Sequence, residues 1–151
     1  MKKLLVILTV LLVAVTMGAF AQTSDSATLN LSGTVGDFVS ISVNPEPAAT
    51  SLALSSGQAS QLQVATVSVS ANVAYDVTVN STNSFNFTDG AEDVPYELYY
   101  DGSQVSSNGE LVESGSSANG STKPVAVTYN AATGIDPGTY ADTVTFTIDA
   151  Q

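Results

Sequence analysis

From Ala27 onward the chain alternates apolar and polar side chains with a period of two, and no window of a dozen residues carries a helical stripe. A period of two sends successive side chains to opposite faces of an extended strand, so the pattern predicts a nearly all-β domain. Ala27, Leu29, Leu31 and Val35 share one face against Thr28, Asn30, Ser32 and Thr34, and Gly33 interrupts the apolar side as a bulge or close backbone approach does. Val39, Ile41 and Val43 form a second set, stopped by Asn44, Pro45 and Pro47 because proline cannot donate to a ladder. Leu52 and Leu54 predict a short third strand ahead of Ser55, Ser56 and Gly57.

The strongest strands lie in the middle of the chain. Leu62, Val64, Val67 and Val69 switch the apolar face from even to odd positions near Ala65, which predicts a bulge there. Tyr75, Val77 and Val79 follow after Ala71 to Val73, and the short link predicts an antiparallel hairpin between the two runs. Phe85 and Phe87 come next, then an acidic loop from Asp89 to Asp93, then a strand from Tyr96 to Tyr100 ended by Asp101 and Gly102. The Ser-, Asn- and Gly-rich stretch from Gly102 to Thr122 reads as a long connection or weak edge hairpin around Glu110 to Glu113. Val125, Val127 and Tyr129 resume the alternation. After a turn over Ile135 to Gly138, the closing strand sets Tyr140, Val144, Phe146 and Ile148 against Thr143, Thr145, Thr147 and Asp149. Strands at such regular spacing, separated by turn signals, predict an antiparallel β-sandwich of immunoglobulin type.

Residues 1–21 follow a different rule. Lys2 and Lys3 precede an apolar run from Leu4 to Val15, and the small residues Ala19 and Ala21 end the segment before Gln22. That is the design of a secretion signal cleaved after Ala21. A retained anchor needs about 20 apolar residues, whereas Thr9, Thr16 and Gly18 break this run. The organisation read from the chain is therefore a signal peptide over 1–21, an N-terminal extension over 22–35 and one sandwich over 36–151. Export predicts a periplasmic, cell-surface or extracellular location, and with no cysteine in the chain the fold is held without disulfides.

Charge narrows the partners. Beyond Ala21 Lys123 is the one basic residue, against all fourteen acidic residues. Phosphate backbones are held by Lys and Arg, so nucleic acid is not a partner, and the same field repels anionic lipid surfaces once the signal is gone. The chain lacks His and Cys, which removes the commonest acid–base and thiol chemistry. A Ser–Lys pair at Lys123 is a formal possibility that a single lysine in a Ser/Gly-rich stretch supports poorly. The expectation is a protein that is not an enzyme and holds no cofactor.

Two clusters remain. Asp89, Glu92 and Asp93 offer hard oxygen ligands of the kind calcium takes, without the spacing of a calcium-binding loop. In the Tyr96 to Asp101 run, Tyr96, Leu98 and Tyr100 face one way, and Glu97, Tyr99 and Asp101 make the outer face, where an aromatic ring beside two carboxylates can stack on a sugar or pack across strands.

The closing run Gly138-Thr139-Tyr140-Ala141-Asp142-Thr143-Val144-Thr145-Phe146-Thr147-Ile148 is similar to the pattern G-x-Y-x-D-T-V-x-V-x-I that ends members of the spore coat protein U and archaic chaperone–usher pilin family, and Tyr96-Glu97-Leu98-Tyr99 resembles that family's Y-x-L-Y element. Many such subunits carry a cysteine pair near the first strand; here Phe38 stands about where the first would be. The resemblance implies an incomplete immunoglobulin-type sandwich whose open groove is filled by the N-terminal extension of a neighbouring copy, with Ala27, Leu29, Leu31 and Val35 as the inserting face. It implies as partners copies of the same or related subunits, a periplasmic chaperone and an outer-membrane usher. The other reading is a self-complete secreted sandwich, its own extension paired within the chain, that binds carbohydrate or another surface ligand.

Overall fold

The computed structural model of the protein describes residues 24–151, so residues 1–21, read above as a secretion signal, fall outside the described residues. The chain divides into two units at Thr34 and Val35. In the first, residues 24–34 carry no regular secondary structure, and Leu29 and Leu31 are 79% and 84% exposed. The alternation of Ala27 to Val35 thus does not produce a paired strand, because an isolated extended segment has no ladder to close its backbone hydrogen bonds.

The second unit is a sandwich of two antiparallel sheets. One carries β1 (Val39–Pro45), β2 (Gln58–Ala71), β8 (Ala118–Tyr129) and β5 (Asp93–Tyr100) in that spatial order, with β4 (Asn86–Thr88) and β6 (Ser103–Val105) sharing the far edge of β5. The other places β3 (Tyr75–Ser81) between β7 (Glu110–Gly115) and β9 (Val144–Ala150). In the immunoglobulin fold one sheet is ordered A-B-E-D and the other C-F-G. Here β1-β2-β8-β5 occupies the first order, and β3 and β9 stand at C and F. Among the described residues no strand occupies the G position beside β9.

The core forms where the inward faces of β2, β8, β5 and β3 meet. Val67, Val69, Val77, Val79 and Leu98 are among its largest fully buried side chains. Phe87 stacks on Tyr96 with ring centroids 4.4 Å apart and meets Tyr129 edge-on at 6.0 Å, filling one end. The parity switch near Ala65 is a register shift between Gln63 and Ala65 where β2 crosses β8.

Three expectations are corrected. The runs through Val67 and Tyr75 do not pair as a hairpin, since β2 bonds to β1 and β8 whereas β3 bonds to β7 and β9. Residues 72–74 carry the chain from one sheet to the other, so both strands bury a face against each other instead of sharing an edge. Leu52 and Leu54 lie in turn and loop after a 3-10 turn at Pro47–Thr50, half-buried against the core and outside any ladder. Tyr140 likewise precedes β9, whose inward residues are Val144, Phe146 and Ile148.

Candidate functional site

The seam between β1 and β9 is the least finished part of the sandwich. Each strand is hydrogen-bonded on one side, β1 to β2 and β9 to β3, and their Cα atoms come within 8 Å of each other without a shared ladder. Val39 and Ile41 on β1, and Val144, Phe146 and Ile148 on β9, are only half-buried, while Val77 and Val79, which β9 pairs with, are fully buried. Where β1 ends and β9 begins lies an open cavity of about 770 Å³, lined by Leu52, Leu54, Phe87, Ile135 and Tyr140 among others. The alternation that builds β9 therefore leaves an apolar face with a free backbone edge beside it.

The rim of this cavity is braced by carboxylates. Glu92 Oε2 accepts from the Tyr140 hydroxyl at 2.9 Å and from the Asp136 N–H at 2.7 Å, tying the loop before β9 to the turn before β5. Burial, reinforced by Glu92, pushes the Tyr140 phenol up to about 12. Asp89 Oδ1 accepts from the N–H groups of Ala91 and Glu92, each at 2.9 Å, and these bonds hold its carboxyl below the usual range. Asp93 begins β5 opposite Thr88. Of the three residues read as calcium ligand candidates, Asp89 and Glu92 thus share one turn and Asp93 starts a strand, and among the described residues no three acidic groups converge on one point.

On the outer face of the larger sheet, Glu97 Oε2 accepts from the Tyr99 hydroxyl at 2.8 Å and from Thr128 Oγ1 at 3.0 Å. Those donors hold the Glu97 carboxyl low, and Glu97 in turn raises the Tyr99 phenol. Asp101 does not join this pair; its Oδ2 meets Lys123 Nζ at 2.6 Å.

Three further groupings were not visible in the alternation. Asp142 accepts from Ser81 Oγ and the Tyr96 hydroxyl, both at 2.6 Å, and from the N–H groups of Asn83 at 3.0 Å and Thr143 at 2.7 Å. It joins the two sheets just ahead of β9. Glu113 does the same at the other end, accepting from Tyr75 at 2.7 Å and from Tyr100. The tyrosines show only as apolar members of strands, so their hydroxyls give no sequence signal. Asn72, beyond the end of β2, takes hold of residues 36 and 38 through its side chain. Neither the protein-family models nor the curated proteins searched give a match to this chain.

Proposed function

We propose that the protein is a secreted structural subunit of a surface or pilus-like assembly, built by strand complementation between copies. The observation that carries this reading is the vacant G position beside β9, flanked by half-exposed apolar residues of β1 and β9. The extension supplies a matching occupant: burying Ala27, Leu29, Leu31 and Val35 contributes about 5–10 kcal/mol before ordering costs, and its main chain satisfies the free edge of β9. A strand seated at about 4.8 Å from each neighbour holds those neighbours about 9.6 Å apart, so insertion requires β1 to move away from β9, whose Cα atoms come within 8 Å of it. On this reading the partners are further copies or related subunits, with a periplasmic chaperone covering the seam before an outer-membrane usher passes the subunit on.

The close approach of β1 and β9 favours a second reading, a self-complete secreted sandwich with Glu97 and Tyr99 available to a carbohydrate or another surface ligand. Size-exclusion chromatography of the refolded mature chain separates the two. Donation gives a ladder of oligomers that collapses to monomer in the Leu29→Asp/Leu31→Asp variant. A single compact monomer in both proteins would remove the assembly reading.

A further inference from the structure

A chain that carries both an inserting segment and an open seam can fill its own seam, and then assembly stops. The extension and β1 belong to one continuous stretch, with only Gly36, Asp37 and Phe38 between Val35 and Val39. The start of β1, the link 72–74 and the end of β9 all lie at one end of the sandwich, because Val39 pairs with Ala71 and Tyr75 with Ala150. To lie in its own seam the extension would therefore have to reverse direction within residues 36–38. Two- and three-residue reversals of this kind require a left-handed residue in the loop. The residues that have a left-handed φ in this chain include neither Gly36, Asp37 nor Phe38.

Asn72 is what holds them otherwise. Its backbone N–H donates to Phe38 O at 3.1 Å, its side-chain Oδ1 accepts from Phe38 N–H at 2.7 Å, and its Nδ2 donates to Gly36 O at 2.8 Å. At this point β2 has ended and the chain is leaving for the other sheet, so no further β2 residue is available to pair with the backbone that enters β1. The primary amide substitutes for one, since it offers a donor and an acceptor side by side as a peptide group does. A two-residue hairpin closing Val35 onto Phe38 would need the Phe38 N–H, and Asn72 already engages it. The clamp excludes that two-residue reversal, and a three-residue one closing on Val39 would have to move the Gly36 carbonyl that Asn72 also holds.

We propose that Asn72 is a positioning residue that prevents the extension from folding back into its own sandwich, keeping it available to a second copy. This rests on the assembly reading above. Asn72 is exposed and its hydrogen bonds go to Gly36 and Phe38, so its effect would be on the choice between self-filling and donation.

The test uses the mature chain refolded at one concentration and resolved by size-exclusion chromatography with light scattering. Asn72→Ala should raise the ratio of monomer to oligomer about tenfold, the scale set by losing two exposed hydrogen bonds. Asn72→Asp, which keeps the acceptor for Phe38 and loses the donor to Gly36, should fall between Asn72→Ala and the wild type, and it carries the test should Asn72→Ala fail to fold. Adding Leu29→Asp/Leu31→Asp to Asn72→Ala should lower the melting temperature of the monomer, because that monomer is held shut by its own extension. Oligomers unchanged from wild type in both Asn72 variants would overturn the clamp and leave donation standing. A wild type that forms no oligomers at all would overturn donation, and the clamp with it.

Discussion

Asp142 shows how much of this sandwich depends on single polar atoms. Four donors converge on its carboxylate, and two of them, Ser81 and Tyr96, are buried side chains on opposite sheets. Removing the acceptor leaves the Tyr96 hydroxyl without its partner and Ser81 with only the Phe85 N–H that its oxygen accepts, and an unsatisfied buried hydroxyl costs about 1–3 kcal/mol. Asp142→Ala is therefore expected to destabilise the fold by about 3 kcal/mol, read as a lowered urea midpoint; a change under about 0.5 kcal/mol, the size of an ordinary surface substitution, would show that the sheets are joined by other means. The tyrosines also set an alkaline limit. Burial first, then the Glu113 carboxylate, pushes the Tyr75 phenol up to about 12, and burial likewise raises Tyr100 and Tyr96, reinforced by Glu113 and Asp142. A phenol near 10 in the unfolded chain holds its proton less tightly than these do in the fold. The stabilisation is full below pH 10 and is lost as the pH rises from about 10 through 12. The urea midpoint should fall steeply across that window, and a midpoint level from pH 9 to pH 12 would contradict the assignment. None of this was legible in the sequence, since Asp142 lies 61 residues from Ser81 and 46 from Tyr96, and periodicity reports which face a side chain takes, never which hydroxyl it meets.

Strands show a different division between what alternation tells and what it hides. Gly57 marks the entry to β2: its φ is +69°, and a Cβ there would lie 2.6 Å from the backbone nitrogen of Ala131 and 3.1 Å from Asn130 C. Neither atom can rotate away, because both belong to the main chain leaving β8. Gly57→Ala combines a disfavoured backbone conformation with a backbone clash, at a cost of about 2–4 kcal/mol, which should lower the Tm by about 10 °C in a scanning calorimeter. A Tm within a degree or two of wild type would mean that the start of β2 can shift freely against β8. The inward faces of β2, β3, β5, β8 and β9, and the irregularity at Ala65, were readable because a buried face imposes its period on the side chains. Partner choice was not. A link as short as 72–74 serves equally to fold a strand back on its neighbour or to carry it across to the opposite sheet, and what separates the outcomes here is the long-range competition of β8 for the edge of β2 and of β9 for the edge of β3. Leu52 and Leu54 misled for a related reason: two apolar residues two apart look like a strand, yet here they cover the core from a loop without joining a ladder.

At the scale of the whole molecule, shape and charge act against each other. On the assembly reading the vacant position beside β9 takes a strand from a second copy, while residues 22–151 of every copy carry fourteen acidic residues against Lys123. Lys123 is already paired with Asp101, so little positive charge is left to offset approach between copies. Like-charged subunits repel over a distance set by the Debye length, which shrinks from about 30 Å at 0.01 M salt to about 8 Å at 0.15 M. The inserting face Ala27, Leu29, Leu31 and Val35 has no charge in it, so its contribution on burial does not weaken as salt is added. Association between mature chains should therefore speed up by about tenfold or more over that range, the scale at which electrostatic steering alters on-rates, followed by light scattering from the moment of dilution out of denaturant. A Lys substitution at exposed acidic positions on β5, which β2 and β8 separate from β1, such as Asp93→Lys with Glu97→Lys, should flatten the salt dependence without altering the final oligomer ladder. If added salt instead slows association, opposite charges must be meeting at the contact, and the pairing of an uncharged strand with the edge of β9 could not be the step that joins the subunits.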